Sequence, residues 1–90
     1  MSAARQLPRE IVLETLVRTL APYLGKTMAQ AAVETHTHKL GIADLNMTAA
    51  QLDALMDKMS AGLIIFVGRD KTVTIVREAR AAIDALTPQP

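Results

Sequence analysis

There is no cysteine in the 90-residue sequence, which excludes disulfides and thiolate metal sites. Tryptophan is absent too, and Tyr23 and Phe66 are the only aromatics, too few to interleave with basic residues as a base-stacking surface. The formal net charge is +1, so nothing in the balance of charge selects nucleic acid or an anionic membrane as partner. The longest apolar run, Leu63 to Val67, falls far short of the about 20 residues needed to cross a bilayer. Met1 to Gln6 are small and polar, without the basic start and apolar core of a secretory signal. A cytoplasmic location without membrane attachment is the expectation.

Half of the residues are hydrophobic, and apart from the two aromatics they are Ala, Leu, Ile, Val and five Met. Ala, Leu and Met favour helix before any pattern is considered. A chain of this length makes one domain, 1–90, and buries only about 60–65% of its unfolded surface. With disulfides excluded, its thin core has to be supported by close helix packing or by self-association.

Hydrophobic periodicity predicts an all-α, compact bundle of about four helices. The first runs near 8–21: Pro8 suits an opening turn, and Val12, Leu13, Leu16, Val17, Leu20 and Leu24 form its stripe. Pro22 is expected to end it. The second runs near 25–40, with Met28, Ala29, Ala32, Val33, His36 and Leu40 on one face and Gly41 as its stop. Residues 1–7 read as a frayed start and 41–47 as a loop. The third, 48–67, has the clearest opening: Thr48 and Gln51 at capping-box spacing, with Met47 and Leu52 placed as a hydrophobic staple. Leu52, Leu55, Met56, Met59, Leu63 and Phe66 continue its stripe to Gly68. The fourth, near 70–86, is capped by Asp70 and buries Ile75, Val76, Ala79, Ala82, Ile83 and Leu86. No internal repeat is visible. The β-branched residues on either side of Gly68-Arg69-Asp70-Lys71 leave an α+β alternative, with a hairpin at 63–76.

Residues able to do chemistry are sparse. His36 and His38 would share a metal on a strand, but on a helix they point about 160° apart; the expected arrangement is a packed His36 and a solvated His38. Gly62, Gly68, Lys71 and Thr72 do not have phosphate-loop spacing, since five apolar residues separate the glycines and Arg69-Asp70 follow them. No Ser, His and Asp form a nucleophile elbow, and the acids are spread over polar faces. The chain is therefore expected not to be an enzyme and to need no cofactor or metal. Arg69, Lys71, Arg77 and Arg80 concentrate positive charge in the last third. They support an alternative as a small nucleic-acid-binding protein, although Asp70, Glu78 and Asp84 interrupt them and nucleic acid is not the leading partner.

The informative feature is an apolar surplus in the third helix. With Leu63 and Phe66 assigned to the core face, Ile64 and Ile65 project from the other side, and exposed apolar residues of this kind mark an interface. Leu63, Ile64, Ile65 and Val67 are the expected interface, docking on a second copy of the chain as a homodimer or on another protein.

Tyr23-Leu24-Gly25, followed by Met28-Ala29 and Val33, resembles small α-helical modules at the ends of bacterial signalling proteins. In those modules a Tyr-Ile/Leu-Gly segment opens an Ala-rich helix and a Leu-rich helix follows. The similarity spans about residues 20–60, with Lys26 where those modules are expected to carry proline. The resemblance implies a regulatory or interaction role and supplies no catalytic residue.

Overall fold

Val12, Leu16 and Leu20 are spaced one helical turn apart, so one face of a helix carries all three. In the computed structural model, which describes residues 6–86, all three are buried. In chain order the elements are β1 (Gln6–Pro8), α1 (Arg9–Leu24), α2 (Lys26–Lys39), β2 (Asn46–Thr48), α3 (Ala49–Val67) and α4 (Arg69–Asp84). The all-α bundle expected from periodicity is the fold. α1 packs on α2 and α4, and α3 packs on α4 and α2, which closes a ring of four helices. One core fills it, built from Val12, Leu16, Leu20, Ala29, Val33, Leu55, Met56, Met59, Leu63, Ile75, Ala79 and Ile83 and closed by Leu7, Ile42 and Met47. Each large aliphatic among these contributes roughly 1.5–3 kcal/mol relative to exposure.

Local signals set the helix starts and stops. The Thr48 hydroxyl accepts from the Gln51 N–H at 3.1 Å, and the Thr48 N–H donates to Gln51 Oε1 at 3.0 Å. This reciprocal cap is the one the spacing predicts, and such caps are worth about 1 kcal/mol. Single glycines join α1 to α2 and α3 to α4. Gly25 has φ 85° and ψ 153°, and Gly68 has φ 90° and ψ 167°, a backbone region that side chains with a Cβ rarely adopt. Gly68 thus separates two helices, and residues 63–76 do not form the alternative hairpin.

Several sequence expectations need correction. Pro22 does not end α1, which runs on to Leu24. Proline removes one donor near the helix end, and the Gly25 N–H still reaches the Ala21 carbonyl at 2.7 Å. α4 begins at Arg69, with Asp70 inside its first turn and not capping it, and ends at Asp84. Gln6 and Leu7, expected to fray, and Asn46 and Met47, expected in a loop, belong to β1 and β2. These pair antiparallel with Leu7 opposite Met47, and both side chains seal the core floor. Residues 1–5 of the expected frayed start, and 87–90, lie outside the described residues.

The largest correction concerns repetition. The chain is two successive units of strand, helix, glycine and helix. Aligning Gly25 with Gly68 pairs Val12 with Leu55, Leu16 with Met59, Leu20 with Leu63, and Leu24 with Val67. The first three pairs are buried and the fourth is partly buried. The equivalent strands pair antiparallel, and the α1–α4 seam corresponds to the α2–α3 seam, as in a two-fold arrangement.

Candidate functional site

Met28, Ala32 and His36 recur every fourth residue and so form one column along α2. This column does not enter the core; Ala29, Val33 and Thr37 do. It lines instead an open-mouthed cavity of about 160 Å³ at the α2–α3 seam, whose other walls are Leu20 and Leu24 of α1 and Met59, Gly62, Leu63 and Phe66 of α3. Met28, Gly62 and Phe66 are exposed. His36 is its one ionisable group. Among the described residues nothing hydrogen-bonds the buried His36 Nδ1. Desolvation, followed by the positive charges of Lys39 and Lys58, lowers the His36 pKa from its ordinary 6.5. A neutral imidazole can both donate and accept a hydrogen bond. His38 lies elsewhere, exposed and beside Arg9 and Glu34. Among the described residues no three His, Cys, Asp or Glu could hold a metal ion together.

The second feature is the C-terminal end of α3. Successive helical residues turn by about 100°, so Ile64, Ile65 and Phe66 fan over more than half of the helix circumference. All three are exposed, Ile65 at 88% and Phe66 at 59%. Phe66 was expected in the core and is not there. The buried stripe of α3 advances in steps of four through Leu55, Met59 and Leu63 to the partly buried Val67, and Phe66 lies beside that line. Leu63 and Val67, expected at an interface, therefore pack inward, and little of the Leu63 surface remains for a partner. Ile64 and Ile65 do face solvent. Ile64 shares a hollow with Val73, and Phe66 shares the cavity mouth with Met28. Of seven large apolar side chains exposed among the described residues, five (Met28, Ile64, Ile65, Phe66 and Val73) gather here, apart from Ile11 and Leu45.

The basic residues of α4 are partly dispersed. Arg69 and Arg77 line the hollow beside Ile64. Arg80 is held by Asp53 at 3.0 Å, and Lys71 falls on a different side of the helix from Arg69, about 160° away. The wider groove between α1 and α2 has mixed charge along it, with Glu14, Arg18, Lys26 and Glu34, and is an ordinary solvated furrow.

No helix among the described residues is long and apolar enough to cross a membrane. Neither a protein-family model nor a curated protein nor a solved structure matches the chain, so function has to be argued from the site.

Proposed function

We propose that this chain is a cytoplasmic, non-catalytic interaction module with a regulatory role, which self-associates through the exposed end of α3. The observation that carries the reading is the convergence of Met28, Ile64, Ile65, Phe66 and Val73 on one end of the molecule. Exposed apolar side chains gathered at one end of a small chain mark an interaction site. Two properties favour a second copy as the occupant. The near-zero net charge leaves little long-range self-repulsion, and a thin single core without disulfides gains from association. On burial Ile65 would release about 1.5–3 kcal/mol gross and the half-covered Ile64 and Phe66 roughly half as much each, on both copies, against association costs of about 4–15 kcal/mol. These magnitudes suit a reversible dimer. The regulatory role is also what the resemblance to signalling-protein modules implies.

Ile65→Asp tests this cleanly, because Ile65 is 88% exposed and the fold does not depend on it. In sedimentation velocity the variant should remain monomeric at concentrations where the parent associates, with an unchanged helical spectrum. Equal association by both proteins would remove α3 from the interface. Nucleic-acid binding by Arg69, Lys71, Arg77 and Arg80 is the second reading, drawn from the Arg69–Arg77 side of α4. A band shift at low salt, lost steeply as salt rises, is its mark.

A further inference from the structure

The two halves of the chain supply an internal comparison. Aligning Gly25 with Gly68 places Ala32 opposite Ile75, His36 opposite Ala79, Gly62 opposite Thr19 and Phe66 opposite Tyr23. At the α1–α4 seam the larger Ile75 is buried to 1% exposure, and Tyr23 packs against the core with its hydroxyl donating to Glu78 Oε1 at 2.8 Å. That seam is closed. At the α2–α3 seam the same architecture carries Ala32 and Gly62 and holds a cavity of about 160 Å³. Close packing does not demand glycine there: a β-carbon at 62 would meet only His36 Nε2, at 3.9 Å. Glycine inside a helix also costs about 1 kcal/mol against alanine. Smaller residues thus stand at two facing positions where the other half carries larger ones, and an imidazole stands where the other half has a methyl group.

We infer that the α2–α3 seam is a binding site for a small amphipathic carboxylate, with its apolar body between Leu20, Leu24, Met59 and Leu63 and its carboxylate at His36. The volume is close to that of apolar protein cavities that hold benzene. His36 Nε2 faces Gly62 across the cavity, while Nδ1 is sealed off without a partner among the described residues; a neutral ring can then donate from Nε2 to a carboxylate. The charges that bear on His36 are the cations Lys39 and Lys58, which favour an anionic head over a neutral one. The cavity mouth shares Met28 and Phe66 with the proposed interface, whereas Leu20, Ala32, His36 and Gly62 lie away from Ile64 and Ile65. The titration is therefore also run on the Ile65→Asp protein, where loss of self-association and loss of acid binding read separately.

The test is titration of benzoate and hexanoate into the full-length protein, followed by calorimetry and by NMR of methyl groups and the His36 ring. Saturable binding should shift Leu20, Leu24, Met28, Leu63 and His36 together. Ala32→Ile, which installs the residue of the closed seam, should abolish it. Gly62→Val fills the cavity from the other side and serves if Ala32→Ile does not fold. His36→Ala should weaken benzoate about tenfold, the loss of one charge-assisted hydrogen bond, and leave toluene binding unchanged. The inference is overturned by no saturation at millimolar acid, by binding that survives in a folded Ala32→Ile or Gly62→Val protein, or by toluene binding as tightly as benzoate.

Discussion

Gly62 of α3 faces His36 of α2 across an open seam, with 3.9 Å between an ideal β-carbon on residue 62 and His36 Nε2. That distance is ordinary van der Waals contact, and Gly62 does not have the positive φ of Gly25, Gly41 and Gly68. Alanine would restrict the unfolded chain and improve helix propensity without a clash. Gly62→Ala should therefore raise unfolding stability by about 1 kcal/mol, seen as a higher denaturant midpoint at constant slope. A lower midpoint would mean that the two helices need to approach more closely than this geometry requires.

His36 makes the fold sensitive to acid. Its pKa in the folded chain lies below the ordinary 6.5, chiefly through desolvation and then through Lys39 and Lys58. Between the folded and unfolded values the unfolded chain binds more protons, so stability rises with pH across that window and falls as pH drops through it. The loss is complete once pH is below the folded value. Thermal unfolding of the parent should show this slope, and His36→Gln should flatten it. An unchanged slope in the variant would assign the sensitivity to another group.

The closed seam should be the less forgiving of the two. Ile75 is 1% exposed between α4 and the rest of the core, and truncation would leave a cavity its neighbours cannot fill. Ile75→Ala is expected to cost about 3 kcal/mol in chemical unfolding. A cost under about 1 kcal/mol would show that the α1–α4 seam relaxes freely, and would remove the contrast between the halves.

The parts of this fold legible in the sequence are those specified locally. Thr48 and Gln51 announce α3 through their own hydrogen bonds, and Val12, Leu16 and Leu20 mark the inside of α1 by spacing alone. β1 and β2 are three residues each, too short for periodicity, and each exists only because the other lies beside it. The repeat was hidden because α2 and α4 differ in residue and in buried face. Ala29 matches Thr72 and both are buried, but α2 goes on to bury Val33 and Thr37, whereas α4 buries Ile75, Ala79 and Ile83, the partners of Ala32, His36 and Leu40. Phe66 misled for a related reason, since steps of three and of four both look helical and only packing shows that the stripe continues to Val67. His36 could be placed on α2, but the cavity beside it depends on two small residues, Ala32 and Gly62, that meet only in the folded chain.

Solution mass by light scattering across a dilution series tests most directly whether the exposed end of α3 is an interface. The account predicts a mass that rises with concentration from the 9.7 kDa of one chain toward twice that value, while Ile65→Asp stays at the monomer mass throughout. A parent protein that remains at 9.7 kDa at every concentration would contradict self-association through Ile64, Ile65 and Phe66.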